Sequence, residues 1–277
     1  MNDFYRAGGA RLGFSDSGSG LPVIFLHPTP LDRDYWRPLI QQFPKLRAIV
    51  PDLRGHGLSE LGTNLPIGRF SRVPDAPVLT MAELASDVLA LLDLLRLHSA
   101  VFAGCSIGGY ILLEIWRRAA ERVRGMAFIC SKPQPDAEAN LSKRVENIAR
   151  ARSEGISKLF DEMSVNLVGE SSRRDRPTII SELRSHMTLS AEAVVAVQAG
   201  LAVRRDSVPT VSSIRVPVLA IAGGTDASVS PADMEAFKLA PGGCTFHTLP
   251  VAGHLAAYEQ PRTVAALMTP WLRQFES

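Results

Sequence analysis

Apolar positions along the chain follow two rhythms. Short unbroken apolar runs, bounded by proline, glycine or charge, predict strands that a sheet buries on both faces. They fall at Pro22–Leu26, Arg47–Val50, Val101–Cys105, Val123–Cys130, Val216–Ala222 and Thr245–Leu249. Near the N-terminus, Phe4–Arg6 and Arg11–Asp16 flank Gly8-Gly9 and predict a hairpin at a sheet edge. The second rhythm is helical. Leu84, Val88, Leu91, Leu92 and Leu95 share one face of a helix, and Thr80-Met81-Ala82-Glu83 predicts the capping box that opens it. Further helices are expected over Asp32–Gln42, Ile107–Ala119, Pro231–Leu239 and Pro261–Phe275.

Between the sixth and seventh strands the strand rhythm stops. Residues 131–209 are charged and helical in pattern, with helices expected at Asp136–Glu154, Ile156–Leu167, Arg176–Met187 and Ala191–Val203. Residues 60–79 carry Pro66, Pro74 and Pro77 and show no period, so a long irregular segment is expected, adding wall or lid material. Alternating strands and helices imply an α/β architecture: a mostly parallel sheet of about eight strands with helices on both faces. Residues 1–130 and 210–277 would form the core, with 131–209 an all-helical insertion.

Composition narrows the class. The chain has 277 residues, 46% hydrophobic and 21% charged, which suits one large domain with an insertion. Thirty basic against 28 acidic residues give a net charge of +2, with no basic stripe for nucleic acid. Cys105, Cys130 and Cys244 lack metal or disulfide spacing, so neither a metal site nor a disulfide framework is expected. The first residues show no apolar leader, and the most apolar window, Val88–Leu97, is broken by Asp93 and Arg96. A cytoplasmic protein without membrane attachment, monomeric or homodimeric, is the expectation.

The chemistry enters at Gly104-Cys105-Ser106-Ile107-Gly108, where an apolar run meets a helical pattern. This is the strand–turn–helix setting of a nucleophile elbow: glycines where a Cβ would clash, a strained serine, and a free N–H on Ile107. Alternatively, Ser106 is an ordinary N-cap of a glycine-rich helix start. A serine hydroxyl needs a base, and the base an acid. In elbow-type folds they follow the serine in the order acid, then histidine. Asp226 in Gly223-Gly224-Thr225-Asp226 and His254 in Val251-Ala252-Gly253-His254 each follow a strand directly. His186 lies in the insertion and His247 within a strand, so both fit worse; Asp136 is the runner-up acid. A second oxyanion donor should come from His27-Pro28-Thr29-Pro30, where the prolines have no N–H and leave Thr29 to act with Ile107.

These pieces, with Asp52-Leu53-Arg54-Gly55-His56-Gly57-Leu58-Ser59 and Glu259-Gln260-Pro261, make the chain resemble the α/β-hydrolase superfamily. The likeness is to its serine esterases and 3-oxoadipate enol-lactonase-like members. It implies an α/β-hydrolase fold, Ser106 as nucleophile, His254 as base, Asp226 as acid, and residues 131–209 as a helical cap. The chain departs from the pattern at His27-Pro28, where the family usually has His-Gly, and in the length of 60–79. Asp52 and His56 are read as structural. The implied activity is hydrolysis of carboxylic esters without cofactor, short-chain or aryl esters being favoured. Lactone hydrolysis, or perhydrolase, hydroxynitrile lyase or C–C hydrolase chemistry, is the alternative, and a non-catalytic binding module a third. His27, Cys105, Phe160, Met163 and Leu167 are the expected substrate contacts, although packing alone would explain Cys105 and the apolar stripe. Arg173-Arg174-Asp175-Arg176 could meet an acidic substrate, or be a solvated surface run.

Overall fold

The computed structural model describes residues 3–276. Eight strands form one sheet: β1 (Asp3–Ala7), β2 (Ala10–Ser17), β3 (Pro22–Leu26), β4 (Arg47–Pro51), β5 (Ala100–Cys105), β6 (Val123–Ile129), β7 (Val218–Gly223) and β8 (Cys244–Leu249). Their order across the sheet is β1-β2-β4-β3-β5-β6-β7-β8. Among the described residues only the β1–β2 and β2–β4 pairings are antiparallel; β4-β3-β5-β6-β7-β8 run parallel. Strands β5 and β7 are buried at every residue, which is why they read as unbroken apolar runs.

The sheet carries α1 (Arg37–Ile40), α2 (Met81–Leu94) and α3 (Ile107–Ala119) before β6. Between β6 and β7 stand α4 (Glu138–Ser153), α5 (Ser157–Asn166), α6 (Glu170–Asp175), α7 (Ile179–Ser185), α8 (Ala191–Ala202) and α9 (Val208–Val211). The last helices are α10 (Pro231–Met234), α11 (Ala256–Glu259) and α12 (Pro261–Leu272). Helices α2 and α3 pack together, while α1, α11 and α12 form a second group. The α4–α8 pair is the backbone of the cap. No helix among the described residues is long and apolar enough to cross a membrane.

Thr80 caps α2 as its sequence predicts. The Glu83 N–H donates to Thr80 Oγ1 at 3.2 Å, and the Thr80 N–H donates to the Glu83 carboxylate at 2.8 Å. Several helices differ from expectation: Pro231–Leu239 is α10 followed by a 3₁₀ stretch, Glu235–Leu239, the C-terminal helix ends at Leu272 with a 3₁₀ turn, Arg273–Phe275, after it, and two others are altered by proline. The stretch 32–42 is a 3₁₀ turn, Arg33–Trp36, that gives way to α1 with Pro38 in its first turn. The expected helix Arg176–Met187 begins only at Ile179, because Pro177 holds Arg176 in a non-helical conformation. Just before it the separate helix α6 forms, which the periodicity did not suggest.

The irregular segment 60–79 is tied to the cap. The Leu79 N–H donates to Ala196 O of α8 at 3.0 Å. Arg72 pairs in bidentate fashion with Glu138 of α4. Phe70, Val73, Val78 and Leu79 are buried. At Gly200 of α8 a Cβ would stand 1.8 Å from Leu79 O, so glycine is what lets this segment lie against the helix.

Candidate active site

Ser106 joins β5 to α3 with φ +51° and ψ −116°, a conformation a non-glycine residue holds only under constraint. The constraint is visible around it. A Cβ at Gly104 would stand 2.5 Å from the Gly108 carbonyl carbon, and one at Gly108 would stand 2.2 Å from Leu26 O. The Ser106 N–H donates to Ile129 O at 3.1 Å, and its carbonyl accepts from Ser131 Oγ at 2.8 Å. The side chain makes no capping hydrogen bond to α3, so the ordinary N-cap reading does not describe it.

The loops after β7 and β8 bring Asp226 and His254 together. His254 Nδ1 donates to Asp226 Oδ2 at 2.7 Å. That bond fixes the tautomer and leaves Nε2 without a proton. Asp226 Oδ1 accepts from the Ser228 and Val229 N–H groups at 2.7 and 3.1 Å. Burial alone would raise the Asp226 carboxyl; the His254 interaction and the two N–H bonds outweigh it and hold the group below the usual carboxylate range. The other candidates are otherwise engaged, Asp136 within the cavity that His254 also lines. Asp136 bonds Arg144 and Arg204, at 3.0 and 2.9 Å, and His186 lies 3.3 Å from Asp32. His247 sits in β8.

Ser106, His254 and Thr29 open onto one cavity of about 240 Å³ beneath the cap. A larger one of about 350 Å³ also touches Tyr110 and does not reach Ser106, so the smaller cavity is the one the candidate residues share. Among the described residues no hydrogen bond joins Ser106 Oγ to His254; such catalytic bonds commonly shorten only in the substrate complex. Ile107 is the first residue of α3, so its N–H has no intrahelical acceptor.

Thr29 is held by His56. The carbonyl of Arg54 can only accept, so His56 Nδ1 carries the proton at 3.0 Å, and Nε2 accepts the Thr29 hydroxyl at 2.9 Å. Burial, reinforced by His27, lowers the His56 pKa to about 3, so the ring is neutral. Asp52 accepts from the Arg33 and Leu58 N–H groups, both at 2.9 Å, and closes the same loop. Neither Asp52 nor His56 lines the cavity, among the described residues.

Of the expected substrate contacts, Met163 and Leu167 line the cavity and three do not. His27 is fully buried; its Nδ1 donates to Pro28 O and its Nε2 accepts the Leu53 N–H, which occupies both nitrogens. Cys105 faces the core, where Tyr35 donates to its sulfur at 3.2 Å and burial pushes the thiol pKa up. Phe160 is inside the cap beneath the Arg184 guanidinium. Segment 60–79 contributes nothing to this cavity, among the described residues. Arg173 to Arg176 also lie outside it, Arg174 pairing with Asp175 and Arg176 with Glu182.

Sequence reasoning missed two groups. Lys132, Lys143, Arg144, Asn147 and Gln198 supply a polar, cationic wall. Glu259 clamps the histidine loop to the cap: its carboxylate accepts from the N–H groups of Gly253 and Gly169 at 3.0 and 2.9 Å, and from Ser172 Oγ at 2.7 Å. The His254 N–H itself donates to Leu167 O at 3.0 Å. Only the Glu259-Gln260-Pro261 motif hinted at the clamp; nothing in the local pattern marked the wall.

A mostly parallel eight-stranded sheet with a helical cap after its sixth strand and a strained serine after its fifth defines an α/β-hydrolase fold. Residues 23–267 match the model of the alpha/beta hydrolase family, and the chain belongs to that family. It is similar to a thermophilic esterase from Thermogutta terrifontis, solved with malate bound: 31% identity, all of both chains covered, TM-score 0.88. It is 24% identical to 3-oxoadipate enol-lactonase 1 of Acinetobacter baylyi, over 92% of this chain and 89% of that one. A putative non-heme haloperoxidase of Mycobacterium phage D29 is 30% identical over 44% of this chain and 40% of its own length.

Proposed function

We propose that the chain is a serine hydrolase of carboxylic esters, working through an acyl-enzyme. The observation that carries this reading is the 2.7 Å Asp226–His254 bond facing the same cavity as a strained, uncapped Ser106. His254 Nε2 takes the proton from Ser106 Oγ as the oxygen attacks the ester carbon. The carbonyl π electrons move onto oxygen, and the Thr29 and Ile107 N–H groups receive that charge. The C–O bond to the alcohol then breaks, and the departing oxygen takes the proton from His254. Water, deprotonated by His254, attacks the acyl carbon and restores Ser106. The strained backbone is pre-set by Gly104 and Gly108, so little reorganisation remains at the moment of reaction. No step needs a cofactor.

The likeness to enol-lactonases supports a second outcome of the same steps: with a cyclic ester, the alcohol stays attached and the product is one hydroxy acid. A fluorophosphonate probe and p-nitrophenyl acetate test the reading. Stoichiometric labelling at Ser106, and turnover that falls at least about 10³-fold in Ser106→Ala, are expected. Full turnover in Ser106→Ala would sink it. Product analysis with butyrolactone and methyl butyrate separates the two outcomes.

A further inference from the structure

The larger cavity, of about 350 Å³, lies where the cap meets the core. Its wall takes Arg69 from the irregular segment, Met81 and Ala82 from the start of α2, Arg117 from α3, and Arg204 and Arg205 from just past α8. The wall is lopsided in charge. Four guanidinium groups stand against one carboxylate, that of Glu114. Glu114 is already bonded by Arg117 through two nitrogens, and Arg205 stands 3.6 Å from it. Among the described residues Arg69 forms no ion pair. The Arg204 side chain is only 4% exposed; it bonds Asp136 and the Gln134 carbonyl, and its Nε, sealed from solvent, has no acceptor. The backbone adds two donors. Thr80 and Glu83 close the capping box with their own N–H groups, so those of Met81 and Ala82, the first two residues of α2, have no intrahelical acceptor.

A sealed N–H without an acceptor is costly, and a helix start carries partial positive charge. The cavity therefore gathers donors from several elements, while its one carboxylate is engaged. A ligand that answers them brings negative charge and several acceptor atoms. A carboxylate has two oxygens in one plane, which a single guanidinium fork occupies. A phosphate monoester carries three acceptor oxygens and nearly two charges at neutral pH, enough to reach guanidiniums on separate elements together with a helix start. Met81, Ala82 and Val203 make the rest of the wall apolar. Small-molecule sites begin at about 300 Å³, so this one has room for an organic body behind the phosphate.

We propose that this cavity is a second binding site, for a small phosphate monoester held by Arg69, Arg117 and Arg205 with the start of α2, and with Arg204 completing the wall. The proposal does not rest on the hydrolase reading, because Ser106, His254 and Thr29 line the other cavity. Arg204 and Arg205 belong to the cap region and Arg69 to the segment 60–79, whereas α2 and α3 lie on the sheet. The bound ligand would therefore tie the cap to the core.

Two measurements test it. In the first, glycerol 3-phosphate and inorganic phosphate are titrated calorimetrically into the protein. Each should bind saturably at one site, and at least about tenfold more weakly when Arg69→Met is combined with Arg205→Met, since a hydrogen bond to a charged group is worth at least that factor. Both arginines are exposed, so the double variant keeps its fold. Acetate should bind at least about tenfold more weakly than either phosphate. The second is hydrogen exchange, which locates the ligand: glycerol 3-phosphate should slow the amides of Met81 and Ala82 and leave those of Ile107 and Gly108 unchanged. The proposal fails if neither phosphate binds saturably, if binding ignores the two arginines, or if acetate binds as tightly. It fails equally if Ile107 and Gly108 slow in place of Met81 and Ala82, which would put the phosphate beside Ser106. Labelling of Ser106 by fluorophosphonate is a separate measurement, so this site and the hydrolase reading stand or fall independently.

Discussion

At the scale of single residues, the Asp226–His254 bond makes a sharp demand. Asparagine at 226 is nearly isosteric but presents an N–H where an acceptor is required, so it favours the imidazole tautomer with its proton on Nε2. Asp226→Asn should therefore lower kcat by about 10⁴-fold while leaving the fold intact. Near-UV circular dichroism beside steady-state rates checks both halves, and a loss under about tenfold would remove Asp226 from the machinery. Ser106, Asp226 and His254 could be named from the chain because each follows directly on a strand, in the order the fold imposes. The surroundings were less legible. His27, Cys105 and Phe160 looked like pocket residues because polarity and helical spacing show that a side chain is covered, not what covers it. All three prove to be interior, their contacts met by Leu53, Tyr35 and Arg184. Lys132 was invisible for the opposite reason: one lysine after a strand has no period, and its place in the cavity wall exists only in three dimensions.

Among the elements, the cap and the segment 60–79 form a single mechanical unit. Replacing Gly200 by alanine tests this. In an open helix that change would stabilise by about 1 kcal/mol through backbone entropy. Here the added methyl would meet the Leu79 carbonyl at 1.8 Å. Relief requires α8 and the segment to part, with the Leu79–Ala196 bond lost, at a cost of about 1–3 kcal/mol or more. The clash wins, so Gly200→Ala should lower the denaturation midpoint and expose 60–79 to limited proteolysis. An unchanged or raised midpoint would show that the segment moves freely against the helix. The element pattern was read well where periodicity and capping agreed, as at Thr80–Glu83. It was read poorly where proline cut a periodic stretch, as at Pro177, because amphipathic spacing continues through a break that backbone geometry does not allow.

For the whole molecule, buried histidines set the response to acid. The His56 pKa is lowered to about 3 by burial, and burial lowers His27 as well. The unfolded chain protonates these rings near pH 6.5 while the folded chain does not, so their contribution is complete above about 6.5 and is lost as pH falls. The loss for one such ring is at most about 1.4 kcal/mol per pH unit. His186 works the other way: its bond to Asp32 raises its pKa, and it stabilises below about 6.5. Asp226 and Asp136 are held below the usual carboxylate range, so their support fails only under about pH 3.8. Between about pH 6.5 and 5 the buried His56 and His27 therefore act against His186, and burial also raises the Asp52 and Asp87 carboxyls. Chemical denaturation across that window should give a slope of stability against pH that His56→Gln lowers by up to about 1.4 kcal/mol per unit. Identical slopes would mean that His56 takes up a proton in the folded state.

The hydrogen bond from Leu79 to Ala196 also gives an irregular stretch of chain an unusual clock. Amides in open coil exchange with solvent deuterium as fast as the coil frays. The amide of Leu79 is anchored on a buried helix, so it exchanges only when the segment parts from α8, and in a ranking of protection it stands apart from the amides of open coil.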